Sequence, residues 1–526
     1  MKLCILAAGK GSRNSFSKIL PKGFLPVDNK PGLTHLIDSF PNVVEITIAI
    51  GSRGDIYKQF LPMLYPKLKF NFVEIKNYDG PGSGPGASLI ECEKYLDDEF
   101  VLIPTDAFVD ESIEDSWSTN WMGVSKVNST RLYCLLDTND NNEILEIYDK
   151  NPDAPVSTLE NGFNGIAFIK DYEIFFKSLK ENKNTISGEI QVSNGFTGLL
   201  SKNNGPGLQT KRIDSWHDYG SNENYINLIQ KFENQNLIKN DEFTYIHNDT
   251  VYKYSVDKQM VKNKIYRAQR LSNHIPNLEE TTDNFYSYSY VEGNLLNEEK
   301  SKDVFLNFLD YLKVNFLKEI KLDHDKRHEF NQSCQIFYKD KTLKRLDDFW
   351  NRTKVDDQNI KINGQSCESV RSLIKKIDWE HLSNGIPYNF HGDLQPENII
   401  HNNGVFTLID WRDSFGKSNE HGDIYYDLAK LDHALLLSGK TVRAKLYDIN
   451  ETSNEVFLNF KLDFNLVEYR KIFHIFLKEN NYDLFKVKLL TSLIYLNIAS
   501  LYDGEYSKFL YYLGQLKLNK ILLDNE

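Results

Sequence analysis

The chain has 526 residues, 40% of them hydrophobic and 26% charged, with a formal net charge of −12. That length exceeds one hydrophobic core and predicts two to four domains, roughly one per 100–200 residues. The acidic balance, with no basic stripe against it, excludes a nucleic-acid binder, and no apolar run approaches the ~20 residues of a membrane span.

Nucleotide substrates stay open, because a metal ion and a few local cations can carry their phosphates. Five cysteines (Cys4, Cys92, Cys134, Cys334 and Cys367) lie far apart with no metal-ligand spacing. They predict reduced thiols in a cytoplasmic protein.

Residues 3–8 form an apolar run that reads as a buried first strand, not as a signal peptide. It breaks at Gly9-Lys10-Gly11-Ser12-Arg13, a junction where backbone N–H groups can approach phosphate. This is neither a Walker loop nor a dinucleotide fingerprint, since Asn14 stands where the third glycine belongs. Strands follow at 44–50 and 70–75. A glycine-dense loop, Gly80-Pro81-Gly82-Ser83-Gly84-Pro85-Gly86, then precedes a helix near 87–95. The strand at 100–104 ends in Thr105-Asp106. The alternation predicts a mostly parallel, doubly wound sheet with Asp106 outside a strand's carboxyl end, where such sheets bind ligands.

A polar stretch near 231–242 predicts a domain boundary. Strands at 243–247 and 250–255, joined by Asn-Asp, read as a hairpin, and a helix is expected near 257–272. Residues 285–291 read as a strand leading into Glu292-Gly293. Beyond residue 300 the periodicity is helical, at 301–320, 334–352, 366–383, 466–480, 485–502 and 505–523. Within this half lies His391-Gly392-Asp393-Leu394-Gln395-Pro396-Glu397-Asn398, then an apolar strand over 405–409 that delivers Asp410. Phosphoryl transfer from ATP needs these parts. One carboxylate, Asp393, orients or deprotonates the attacking hydroxyl, while an amide, Asn398, and a carboxylate, Asp410, hold Mg²⁺. Asp427 reads as a structural aspartate opening a helix.

Two resemblances follow from these stretches. Leu-Ala-Ala-Gly-x-Gly-Ser-Arg, Pro-Lys-x-x-Leu-Pro-Val-x-x-Lys-Pro and Trp216-His217-Asp218-Tyr219-Gly220 together resemble the nucleotidyltransferases that make NDP-sugars and CDP-alcohols. That resemblance implies a nucleotide loop over Ala7, Ala8, Gly9, Gly11, Ser12 and Arg13, with Gly84 in the second loop. It implies Lys22 and Arg13 as catalytic cations at the reacting phosphates and Asp106 and Asp218 as Mg²⁺ ligands. Lys150, Gly165 and Glu189 fall where acceptor contacts are expected.

The stretch around Asp393 resembles the aminoglycoside phosphotransferase and choline kinase family. The spacing from Asp393 to Asn398 is that of protein kinases, but Gly392 replaces Arg and Asp-Trp replaces Asp-Phe-Gly. It implies Lys253 on the ATP phosphates and Glu292 at the adenine hinge. The helix near 257–272 contains no Glu to partner Lys253.

The chain therefore reads as a Rossmann-like nucleotidyltransferase domain over 1–235 and an α+β kinase-like domain with a helical C-terminal lobe over 240–526. The implied function is consecutive. ATP phosphorylates a sugar or polyol hydroxyl, and a second NTP, CTP or UTP, activates the product for surface glycan synthesis. The alternatives are a choline or ethanolamine kinase fused to a cytidylyltransferase, and a kinase carrying a non-catalytic transferase-like domain.

Overall fold

In the computed structural model, which describes residues 1–11, 14–113, 117–182, 184–232 and 242–523, the first apolar run forms the strand Lys2–Ala7. Leu3, Cys4 and Ile5 are wholly buried, because the strand sits inside a sheet covered on both faces. Leu3 and Ile5 join one apolar cluster and Cys4 the other, following the alternation of side chains along a strand. The neighbours Glu45–Ile50 and Phe100–Pro104 pair with it in parallel, and Lys69–Glu74 pairs in parallel with Glu45–Ile50.

The expectation of a mostly parallel sheet needs correction. The nine-stranded sheet is mixed: Gly162–Ile169 runs antiparallel to Phe100–Pro104, and Trp121–Ser125, Cys134–Thr138 and Ile144–Asp149 extend that side. Residues 139–143, between the paired Cys134–Thr138 and Ile144–Asp149, are too short to hold the crossover helix that parallel neighbours require.

The chain forms two compact units, Met1–Lys258 with Glu280–Ser287, and Gln259–Glu279 with Tyr288–Glu526. This corrects the expected division at 235/240, most of whose junction lies outside the described residues. The hairpin Glu242–His247 and Thr250–Ser255, expected to open the second domain, belongs to the first unit. Its aromatics enter the core there: the Tyr245 hydroxyl donates to the Phe24 carbonyl at 2.6 Å, and Tyr252 packs edge-on against Phe60 with ring centroids 5.6 Å apart.

The second unit is mainly helical. Phe464–Glu479, Leu484–Ala499 and Gly504–Leu523 appear close to their predicted bounds. The helix expected at 366–383 does not form. Asn363 and Gly364 take positive φ (48° and 80°), and the turn closes a hairpin of Ile360–Ile362 with Gln365–Cys367. That hairpin joins Glu455–Phe460 and Tyr447–Glu451 in a four-stranded sheet, and only the short helices Val370–Ile374 and Trp379–Ser383 follow. All five cysteines are buried as thiols rather than disulfides, and among the described residues no helix is long and apolar enough to cross a membrane.

Candidate functional sites

In the first unit, Asp106 leaves the sheet just beyond Phe100–Pro104, and the next residues, Ala107–Phe108, pair with His217–Asp218. That two-residue ladder sets Asp218 against Ala107, and the Tyr219 N–H donates to the Asp106 carbonyl at 2.9 Å. Gly220 shows how near the two carboxylates lie. A Cβ placed there would sit 2.6 Å from Asp106 Oδ2 and 3.0 Å from Asp218 Oδ1. Lys22 Nζ lies 3.1 Å from Asp106 Oδ2. The Tyr133 hydroxyl and Asn224 Nδ2 each donate to Asp218 Oδ2 at 3.3 Å, which leaves Oδ1 turned towards Asp106 and the Gly220 N–H.

Two carboxylate oxygens bordering one point, with a lysine beside them, fit Mg²⁺ shared with phosphate oxygens. Among the described residues no group of three or more His, Cys, Asp or Glu gathers, so the remaining ligands of such an ion would come from substrate or water.

The glycine loop is set by backbone geometry. Gly84 has φ 117°, and a Cβ there would strike the Ile190 carbonyl oxygen at 2.6 Å. Main-chain bonds from Gly82 to Gly188 and from Ile190 to Ser83, both 2.8 Å, lay the loop along Glu189–Ile190.

In the second unit, the Asp393 loop is held by Asp427. This buried carboxylate accepts the His391 N–H at 2.7 Å, the Gly392 N–H at 2.8 Å and the Tyr388 hydroxyl. Gly392, at φ 86°, is required: a Cβ would meet Arg412 Cβ at 2.5 Å, which explains why no arginine stands there. The Asp393 N–H donates to His391 Nδ1 at 3.2 Å, so His391 Nε2–H donates to the Ile409 carbonyl at 2.9 Å. Burial lowers the His391 imidazole from its ordinary range and keeps it neutral in that role. The Ile409 N–H donates to the Asn398 carbonyl at 2.9 Å, which draws Asp410 alongside Asn398. Asp410 itself adopts φ 61°, a left-handed conformation uncommon outside glycine. Asn398 Nδ2 donates to the Asp393 carbonyl at 2.9 Å, which leaves its Oδ1 as a donor, and an amide oxygen together with the carboxylate of Asp410 is a set that also fits Mg²⁺.

Asp393 is paired. Lys430 Nζ lies 2.6 Å from Asp393 Oδ1, and Gln395 Nε2 donates to Oδ2 at 3.1 Å. The surrounding protein would push the carboxyl up, but Lys430, then Arg412, hold it well below the usual carboxylate range.

Residues 3–121 match the family model of the MobA-like NTP transferase domain. The NTP transferase domain is similar to the bifunctional protein GlmU of Methanocaldococcus jannaschii, 25% identical over 223 residues, 42% of this chain and 51% of that one. It is also similar to the UTP–glucose-1-phosphate uridylyltransferase AglF of Haloferax volcanii, 24% identical over 249 residues, 45% of this chain and 98% of the other. The chain thus spans about half the length of the GlmU relatives. Among solved structures, a putative glucose-1-phosphate thymidylyltransferase from Bacillus anthracis aligns over 46% of this chain and 98% of its own. The two are 21% identical, with a TM-score of 0.38. The CTP:phosphocholine cytidylyltransferase of Streptococcus pneumoniae aligns over 44% and 98%, with 16% identity and a TM-score of 0.35.

Several positions singled out in the sequence fall into these two sites. Lys22, Asp106 and Asp218 cluster in the NTP transferase domain, beyond the strand end that carries Ala7, Ala8 and Gly9. Gly11 has φ 70°, while Ser12 and Arg13 lie outside the described residues. Gly165 has φ 89°, and a Cβ would press on Pro104, which leads to Asp106. Lys150 is half-buried: its N–H donates to the Tyr133 carbonyl at 3.2 Å and its Nζ to Gln191 Oε1 at 3.3 Å. Glu189 is exposed on its two-residue strand.

Lys253 belongs to the first unit, where Nζ donates to Thr244 Oγ1 across the hairpin at 3.0 Å, whereas Asp393, Asn398 and Asp410 belong to the second. The Glu292 carbonyl accepts from Asn402 Nδ2 at 3.1 Å.

Asp427 does not open its helix. Asp423 caps Ile424–Leu436 through the Tyr425 N–H, which frees Asp427 for the loop. No local pattern in the sequence marks Lys430, Lys264 or Tyr133 for these sites. Lys264, on the helix Lys258–Arg270, donates to the Trp411 carbonyl at 2.5 Å. Only the folded contact reveals this role.

Proposed function

We propose that the chain is a bifunctional transferase: an ATP-dependent kinase of a small hydroxylated acceptor, and a nucleotidyltransferase that activates the phosphorylated product. The observation that carries it is the pairing, in one chain, of the Asp106–Asp218–Lys22 cluster with the Asp393–Asn398–Asp410 arrangement. One is suited to nucleotidyl transfer and the other to phosphoryl transfer, and the phosphomonoester is the species common to both.

In the first reaction the acceptor hydroxyl oxygen bonds to the γ-phosphorus of ATP and the bond to the β,γ-bridging oxygen breaks. ADP leaves, and the hydroxyl proton passes to Asp393 and on to solvent. In the second, an oxygen of the new phosphate bonds to the α-phosphorus of an NTP and pyrophosphate leaves. Lys22 meets the charge that develops there, and Asp106 and Asp218 would hold the Mg²⁺ that binds the phosphate oxygens. Mg²⁺, bound at either carboxylate site, would neutralise phosphate charge and align the oxygens. The relatives named for UTP and glucose 1-phosphate support a sugar-type acceptor phosphate and a pyrimidine nucleotide for the transferase.

The test is to give the intact chain a panel of free sugars, polyols, sugar acids and amino alcohols with ATP, one further NTP and Mg²⁺. NDP-acceptor, ADP and pyrophosphate should accumulate together. A kinase product that no nucleotide activates would refute the consecutive reading.

A further inference from the structure

The Asp393 loop is surrounded by more positive charge than the transfer of one phosphoryl group uses. Lys430 is committed to Asp393. Arg412, whose backbone is tied to the loop by its N–H to the His391 carbonyl at 2.8 Å, carries its guanidinium 5.3 Å from the Phe337 ring centroid. Lys341 Nζ lies over the same ring at 3.7 Å and 6.0 Å from that of Tyr426. Among the described residues Arg345, one helical turn after Lys341, donates only to the Asn497 carbonyl, at 3.4 Å. Among the described residues, neither the Lys341 ammonium nor the Arg412 guanidinium donates to a carboxylate or carbonyl.

The anions facing this cluster are Asp393 and, towards Arg412, Asp413 and Asp427. Asp393 is paired, and Asp427 is spent on the loop's N–H groups. Burial, then Arg412, Arg345 and Lys430, push the Lys341 ammonium well below the usual lysine range, with Asp393 opposing. Against burial, Tyr426, Asp393, Asp413 and Asp427 hold the Arg412 guanidinium above its ordinary value, so the Lys341 ammonium is the cation that an anionic ligand would stabilise, and a guanidinium beside it suits a carboxylate or phosphate.

We propose that the acceptor phosphorylated at Asp393 is itself an anion, a hydroxylated carboxylate of the sugar-acid or hydroxy-acid class. Its acidic group is received by Lys341 and Arg412, with Arg345 behind them. The inference rests on the kinase reading and narrows it. A quaternary ammonium or amino-alcohol acceptor would meet like charge there.

The experiment compares matched acceptors on the intact chain with Mg·ATP: glycerate against glycerol, gluconate and glucuronate against glucose, and choline and ethanolamine beside them. Titration calorimetry with Mg·AMPPNP runs in parallel. The acids should be phosphorylated with kcat/KM at least ~10-fold above their neutral partners, and the amines not at all. Lys341→Met should raise KM for the acid ~10-fold or more, with KM for ATP within about twofold of wild type.

Equal or better turnover of neutral or cationic acceptors would overturn the proposal while leaving the kinase reading intact. So would an effect of Lys341→Met confined to KM for ATP, and so would nucleotide binding with no acid turned over. Absence of both nucleotide binding and turnover would overturn the kinase reading itself. If Lys341→Met does not fold, Arg345→Gln, on the surface side of the same cluster, should show the same split between the two KM values.

Discussion

Lys430 Nζ and Asp393 Oδ1, brought together from a helix and a loop well separated in sequence, form an ion pair at 2.6 Å. The pair keeps Asp393 ionised far into acid. Its depressed carboxyl contributes stability that is present above the unfolded value of about 4 and is lost only as pH falls through the folded value. The kinase rate of the wild-type chain should therefore show no acid limb from Asp393 between pH 5 and 7. In Lys430→Met the burial that raises the carboxyl is no longer opposed by that ammonium. The acid limb should then move up into this window, with kcat lowered roughly 10²-fold. A pH–rate profile of both proteins checks it; an unshifted limb would remove Lys430 from this role.

Asp106→Ala and Asp218→Ala should each stop pyrophosphate release from a supplied phosphomonoester, by roughly 10²-fold or more, and leave the kinase intact. Both carboxylates border the same point at Gly220. A pair in which only one substitution mattered would contradict a shared ion.

Gly220→Ala tests that point without removing a ligand. Its Cβ would fall within 2.6 Å of Asp106 Oδ2, so the carboxylates must part. The Mg²⁺ concentration giving half-maximal pyrophosphate release should rise several-fold while the kinase's stays constant. An unchanged Mg²⁺ dependence would show that the ion does not sit there.

Gly392→Ala should destabilise the second unit by about 1–3 kcal/mol and abolish kinase turnover, because a left-handed residue gains a Cβ against Arg412 Cβ. Thermal unfolding followed with kinase activity checks both. Wild-type stability would mean the loop can move away from Arg412.

Cutting the chain at residue 238, where composition places the boundary, should yield an unsound first fragment. It would lose Phe243, Tyr245, Tyr252, Tyr254 and Phe285 from the core around Phe60. Fragment 1–238 should bind a hydrophobic dye and elute as aggregate, unlike the intact chain; a monodisperse, dye-silent fragment would show those aromatics to be dispensable.

The sequence by itself determined the strand-and-loop rhythm of the first half, because a doubly covered strand such as Lys2–Ala7 must be continuously apolar. It also placed Asp106 and Asp410 after strand ends and Asn398 five residues beyond Asp393, whereas Asp218 stood out only by resemblance to a family pattern. Local pattern also carried the long C-terminal helices. What it could not decide depends on partners distant in sequence. Gly162–Ile169 enters the sheet antiparallel to strands far from it in sequence, and the Asn363-Gly364 turn finds its sheet only through Glu455–Phe460. The hairpin at 242–255 reads alike whichever core receives it, and its aromatics fill the space around Phe60. Asp427 looks like any helix-opening aspartate until the N–H groups of His391 and Gly392 reach it. Lys430, Lys341 and Arg412 look like ordinary surface cations in a chain rich in them. Only folding stations them around one carboxylate, where neighbouring charges acting through space, not along the sequence, set what each can bind.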